Sequence, residues 1–443
     1  MIKACRSRSA VEVTWRDSRV LPSAGMIRGR LISLFLAGLG VLSPLSCSST
    51  HQPEQPALAL IQVETGGFDR SDSTVQVVQL PKPAKEPIHL LETTQGLAIP
   101  TPCQLDPSDP ARLYFVVTGS TALGEKRSYT LFPGPGRVHP LPEARDDGSN
   151  LELLLRGKQV LRYNYKPVSP PTPEIDPVQT RDAYIHPVWT PGGRIITDDF
   201  HPDHLHQRGI FMAWTKTRFK GRTPDFWNLG DGSGAVRFKE FRKVFQGPVF
   251  AGFQAVQEHV DLSAPEGEEV ALTELWDVRV WRLGLGEGYF VFDLDSVQQC
   301  ATDAPLTLPE YLYGGMGFRG ARSWTPDALS VETSTGKDRK SGDGSREDWC
   351  HFQGPVDGKL AGIVVFGDPQ NYRAPQPLRI HPEMPYFSFT PVRMGEMQIE
   401  PGRPYHSHFR FLVYDGKMTT KTVKSHWIDF TKPMKITVSS GEE

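Results

Sequence analysis

Short runs of alternating apolar and polar residues, each closed by Gly, Pro, Asp or Ser, follow one another along most of this chain and confine what it can fold into. Period-two alternation is the pattern of a strand whose two faces meet different surroundings. Glu274–Trp281 shows it well: Leu275, Asp277, Arg279 and Trp281 fall on one face, and Trp276, Val278 and Val280 on the other. The 41 Gly and 39 Pro keep windows too short for long amphipathic helices, and no internal repeat is present. Strand runs are expected at Val75–Leu80, Ile88–Glu92, Leu113–Thr118 and Tyr129–Phe132. Leu151–Leu155 and Val160–Tyr165 read as a hairpin across Arg156-Gly157-Lys158-Gln159. Later runs lie at Arg208–Trp214, Val236–Phe245, Phe253–Asp261, Ala271–Trp281, Tyr289–Val297, Gly362–Phe366 and Phe409–Val413. The expected class is all-β, a large antiparallel β-sandwich, with length for one big unit or two sandwiches.

The start of the chain is organised differently. Met1–Gly25 is polar and carries no structural pattern, and is read as an upstream extension with Met26 as the true start. Arg28 and Arg30 then precede the apolar run Leu31–Leu45 and the small residues Ser46-Cys47-Ser48-Ser49, so 26–47 reads as a signal peptide. The run is shorter than the ~20 residues a membrane-spanning helix needs. Cys47 stands where a bacterial lipoprotein cysteine would, although Pro44 replaces the preferred Leu, so lipid anchoring and simple cleavage both stay open. The expected location is periplasmic or secreted, touching a membrane only through such an anchor. Residues 48–67 read as a flexible tether, 68–165 as an N-terminal β-strand region, and 166–430 as the main β-sandwich region behind the Pro-rich connector Lys166–Pro173. Thr333–Asp348 reads as a mobile surface loop.

A formal net charge of −2 gives no reason to expect nucleic acid as a partner. Cys103, Cys300 and Cys350 allow at most one disulfide, form no C-x-x-C pair, and read as buried free thiols.

The chemistry concentrates in Tyr184–Gly209, which holds His186, His201, His204 and His206 together with Asp198, Asp199, Asp203 and Arg208. So many ionisable groups are costly to bury unless paired or bound to something. If His204–His206 is a strand, both imidazoles share one face, Asp203 points away, and Arg208 joins the imidazoles. Two such His suit an acid/base pair or two metal ligands, and Arg208 would bind a carboxylate or sugar hydroxyls. The plainer reading is a polar turn leading into an apolar strand. His406-Ser407-His408 alternates in the same way and reads as a solvated strand end, with a joint four-His site left open. Glu310 and Arg319 bracket the aromatic, Gly-rich YLYGGMGF stretch; Glu310 would serve as a general acid or base, with a structural salt bridge as its rival. The numerous Trp residues suit sugar stacking or core packing. No Ser-His-Asp signature, phosphate loop or dinucleotide motif is present.

Several pieces in order resemble the PmoA-like family, also called a domain of unknown function: Leu161–Tyr165, Arg181–Pro187, Asp203–Gly209, Asp225-Phe226-Trp227, Tyr313–Arg319, Gly362–Asn371 and Tyr414-Asp415-Gly416. The family's usual His-His-Arg-Gly is here His206-Gln207-Arg208-Gly209. Its name comes from a methane-oxidising membrane subunit, but this chain lacks the multiple spans such a subunit needs. The resemblance implies an exported β-sandwich that handles carbohydrate, with a fold like the sugar-binding supersandwiches. The expected function is acid/base chemistry (epimerisation, elimination or hydrolysis) on a sugar or glycoside. His204, His206 and Glu310 would be catalytic, and His186, Arg208, Arg319 and Trp227 would bind substrate. A non-catalytic carbohydrate-binding protein and a metal-dependent enzyme using the His cluster are the alternatives, so a divalent metal cofactor stays open.

Overall fold

The computed structural model describes residues 56–441 apart from positions 71, 140, 141 and 287. The extension 1–25, the signal segment 26–47 with Cys47, and the tether up to residue 55 lie outside the described residues.

Two eight-stranded antiparallel sheets form the body of the protein. The first runs in spatial order Leu378–Ile380, Tyr386–Phe389, Gly315–Arg319, Ile210–Ala213, Tyr184–Val188, Lys158–Asn164, Asn150–Leu155 and Pro142–Asp146. The second runs Gly234–Phe245, Phe250–Asp261, Glu269–Trp281, Tyr289–Cys300, Tyr405–Asp415, Lys359–Gly367, Trp349–Val356 and Ser330–Thr333. Their inner faces share one core, in which Tyr163, Ile185 and Phe318 of the first sheet meet Phe253, Trp276 and Phe292 of the second. The alternation read in Glu274–Trp281 explains the layering. Trp276, Val278 and Val280 point into that core, whereas Trp281 joins a separate core on the outer face.

That outer face is covered by Arg112–Val117, through Tyr114 and Val116, and by the helix Thr420–Thr431, through Val423. Arg112–Val117 belongs to a three-stranded sheet with Thr74–Gln79 and Cys103–Leu105. A five-stranded sheet lies beyond it and shares with it a small core containing Ile61, Leu90, Phe115 and Leu131. The all-β antiparallel sandwich is therefore the fold, with much of the second sheet's outer face covered in place of the solvated face that strict alternation suggests. No described helix is long and apolar enough to cross a membrane.

Three expectations about organisation are corrected. Residues 56–67 are not all tether: Ala59–Glu64 is a strand paired on both sides, with Lys435–Ser440 and with Lys126–Pro133. Alternate burial of Ala59, Ile61 and Val63 supplies the reason, because their apolar area leaves water. The division at 165/166 does not separate two regions, since Lys158–Asn164 pairs with Tyr184–Val188 inside one sheet. Thr333–Asp348 is not a loose loop. The Glu347 carboxylate is fully buried beneath it and accepts hydrogen bonds from Ser334, Thr335 and Ser345. Cys103, Cys300 and Cys350 are free thiols.

Candidate active site

The segment between Tyr184–Val188 and Ile210–Ala213 is closed by turns. His204 N–H donates to His201 C=O at 3.0 Å and Gln207 N–H to His204 C=O at 3.1 Å. The strand reading of His204–His206 is thereby overturned, although its main consequence survives by another route: the two rings lie 5.4 Å apart, inclined at 66°. Gly209 ends the segment at φ +48°, where an added Cβ would sit 2.1 Å from Ile185 C=O, so only Gly permits this approach.

Arg208 does not join the imidazole face. Its guanidinium is fully buried, pairs with Asp199 at 2.9 Å, donates to Leu205 C=O at 2.7 Å and Gln179 C=O at 2.6 Å, and lies over the Phe200 ring. The turns demand this. They leave carbonyls facing inward, and Arg208 satisfies them. Asp199 also accepts from Tyr184 Oη at 2.7 Å, and Asp198 pairs with Arg322 at 3.0 Å, so both carboxylates are engaged in holding the segment. His186 sits in its strand with Nδ1 2.9 Å from Thr197 Oγ1, outside the cavity described next.

That cavity, of about 130 Å³, lies among loops and strand ends of the first sheet. His204, His206 and His381 contribute imidazoles, with the His204 and His381 rings 5.8 Å apart. Trp227, Tyr313 and Tyr386 form an aromatic wall, each Tyr ring 5.8 Å from Trp227. Gln207 and Arg379 complete it. Trp227 is set by Asp225, whose Oδ1 accepts from the Trp227 and Asn228 amides at 2.8 and 2.9 Å. Gly317 makes room for it, because a Cβ there would lie 2.9 Å from the indole. The Asp225–Trp227 and Tyr313–Arg319 motifs thus meet the His segment in space.

The imidazoles are held neutral. Burial, reinforced by His204, Arg181, Arg208 and Arg319, brings His206 down to about 3. Burial, with Arg379 and His204 beside it, brings His381 down to about 4. Burial and Arg319 lower His204 as well. His381 Nδ1 accepts the amides of Glu383 and Met384 at 3.2 and 3.1 Å, so the proton of its neutral ring sits on Nε2.

Arg319 stands one layer behind. Fully buried, it donates to Gln207 Oε1 at 2.8 Å, so it positions a lining residue and does not itself line the cavity. Glu310 is exposed and does not line the cavity either. Sequence reasoning missed Arg379, His381 and Tyr386. His381 follows a three-residue strand with no neighbouring cluster, and only the pairing of that strand with Tyr386–Phe389 brings it in.

The donor set does not suit a divalent metal. His381 has its Nδ1 lone pair engaged, positively charged Arg379 lines the cavity, and no three His, Cys, Asp or Glu among the described residues are grouped to hold an ion. His406 and His408 line no part of this cavity. They stand on the outer face of the second sheet, paired with Asp295 at 2.7 Å and Asp368 at 3.0 Å, which removes the four-His possibility.

Fold and site together define an antiparallel β-sandwich protein with an imidazole- and aromatic-lined cavity on one sheet. Residues 150–428 match a family of unknown function (DUF6807), well over half of the chain, and the protein belongs to that family. No curated protein matches the chain.

Proposed function

We propose that this protein is an exported carbohydrate-active protein whose His204–His206–His381 cavity performs proton transfer on a sugar or glycoside. The observation that carries this is the meeting of three neutral imidazoles with an aromatic wall in one small cavity. Neutral imidazole accepts a proton, and a neutral ring with Nε2–H donates one or stabilises a developing oxyanion. His204 and His206 take the first role and His381 the second, while Trp227 offers the flat apolar surface on which a sugar face packs. No carboxylate lines the cavity among the described residues. This favours epimerisation or elimination over hydrolysis by a carboxylate pair. The PmoA-like resemblance supports the carbohydrate part of the reading, and the Arg-flanked run Leu31–Leu45 supports export.

The test is a thermal-shift screen of sugars and oxidised glycosides, with and without divalent metal, followed by turnover assays on whatever stabilises the protein. His204→Ala and His206→Ala should each reduce turnover by roughly 10²–10⁴-fold, while Leu205→Ala leaves it near wild type. Unchanged product formation by both His variants would place the chemistry elsewhere. Bound sugar recovered intact after long incubation would favour a non-catalytic binding protein.

A further inference from the structure

Buried polar groups without partners are few in native proteins, and each one asks for an explanation. Three of them belong to this one small cavity: Trp227 Nε1, Tyr386 Oη and His204 Nδ1. Trp227 and Tyr386 are 1% and 2% exposed, so bulk water does not satisfy them. Ser388, whose hydroxyl lies 2.8 Å from Thr390 Oγ1, is the one side chain near enough to draw on the phenol, and it leaves Tyr386 Oη without a partner of hydrogen-bond geometry. Indole N–H can only donate, and phenol in this setting stays protonated because burial raises its pKa. His381 adds a third donor through Nε2.

The charges around the cavity point the same way. Arg319 is fully buried and has no carboxylate within ion-pair distance among the described residues; its Nη1 partners are Gln207 Oε1 and Met384 Sδ. Arg181 is likewise buried, forms no ion pair among the described residues, and donates to His206 C=O at 3.0 Å. Arg379, in the lining, shares the single carboxylate of Asp343 with Arg393, at 3.2 and 2.9 Å. Two buried guanidinium groups without an ion pair therefore stand behind a pocket whose free groups are mostly donors. Buried unpaired charge is costly, and an arriving anion would relieve that cost. The larger cavity beside His408 makes the contrast: Arg410 pairs there with Asp293, Arg279 with Asp277, and His408 with Asp368.

We infer that the ligand of this cavity carries a carboxylate, and that its class is the sugar acids, with the carboxylate held by Arg379, Tyr386 Oη and His381 Nε2–H. The sugar part rests on the function proposed above; the anionic part rests on the donors and charges alone. About 130 Å³ is small beside the ~300–1,000 Å³ of typical ligand pockets, so it suits a carboxylate and the adjoining part of one ring. A carboxylate whose charge Arg379 and its hydrogen-bond donors neutralise acidifies the C–H next to it, and an imidazole of His204 or His206 would take that proton.

The experiment compares glucuronate and galacturonate with glucose and galactose, and with acetate, by calorimetry and thermal shift on the mature protein and on two variants. The uronates should bind at least ~10-fold more tightly than the neutral sugars, the size of one charge-assisted hydrogen-bond set. Tyr386→Phe should weaken uronate binding by about 10-fold, while the free variant melts at or above the wild-type temperature, because the lost hydroxyl had no partner. Arg379→Gln should erase the preference for uronate over neutral sugar. Neutral sugars binding as well as uronates would overturn the carboxylate inference and leave the carbohydrate reading standing. Tyr386-dependent acetate binding with neither sugar class bound would keep the anion site and remove the sugar. Wild-type uronate affinity in Tyr386→Phe, or no binding of any probe, would overturn the inference outright.

Discussion

Arg319 donates to Gln207 Oε1 at 2.8 Å, so the side chain between His206 and Arg208 is the one that receives a buried cation. An amide oxygen accepts whatever the pH, whereas an imidazole does so only while neutral and in one tautomer. Gln207 thus has two tasks: it lines the cavity and holds a guanidinium behind it.

Gln207→Ala should therefore destabilise the protein by about 2 kcal/mol, the cost of leaving a buried charged donor without its acceptor. Urea unfolding measures it. A loss no larger than that of an exposed-site substitution would mean that Arg319 finds another acceptor easily.

Arg208→Met should act on the fold and not on ligand recognition. The variant leaves Asp199 unpaired and frees the carbonyls of Leu205 and Gln179. Breaking a buried pair on one side costs about 3–5 kcal/mol. Calorimetric melting should show a large drop. A variant that melts normally but loses ligand would restore the substrate-binding role expected from sequence.

Much of the fold was legible because alternation is a local signal. Leu151–Leu155, Val160–Tyr165 and Arg156-Gly157 gave a hairpin that the structure shows as Asn150–Leu155 and Lys158–Asn164, with Arg156 at φ 56° and Gly157 at φ 73°. The site was legible only where its residues are neighbours in sequence. His204, His206 and Trp227 lie in motifs, whereas His381 and Tyr386 reach the cavity through strand pairing, which has no local signature. Glu310 stays outside the cavity, because aromatic neighbours in sequence do not fix which way a side chain points at a strand entrance. Arg208 was misjudged because alternation was extended through a segment that is in fact turns.

His408 sets a pH dependence on the far side of the molecule. Burial works against its charge, but hydrogen bonds to Asp293 and Asp368 and attraction from Asp293 and Asp295 dominate and raise it to about 9. A raised folded-state value contributes stability that is fully present below the ordinary 6.5 and is lost as pH climbs through 9. His408→Gln should therefore cost on the order of 2 kcal/mol at pH 6, and the gap to wild type should narrow by pH 10. Melting curves across that range test it; a gap that grows with pH would contradict the ion-pair account.

Export makes a separate prediction. Protein expressed from Met26 in a bacterial host should be cut near Ser46–Cys47 and recovered outside the cytoplasm. Mass spectrometry of the N-terminus decides it and also reads any lipid on Cys47. Mature cytoplasmic protein that keeps the intact Met26–Cys47 segment would refute export.

The cavity imidazoles should titrate far below the ordinary histidine range, and this can be measured before any substrate is known. Burial and surrounding guanidinium groups bring His206 to about 3 and His381 to about 4. In nitrogen-15 NMR of histidine-labelled protein, both rings should remain neutral at pH 5, where His408 is charged. The sign for stability is opposite to that of His408. A depressed imidazole contributes stability that is present above 6.5 and is lost as pH falls toward 3, because the unfolded chain takes up the proton first. Once a substrate is found, the acid limb of turnover should lie near pH 3–4 and not near 6.5, since the base form of His206 persists that far down. Glu310→Gln should leave this profile unchanged. If His206 titrates near 6.5, the cavity is wetter and less cationic than its geometry indicates, and the acid limb of turnover should move up with it.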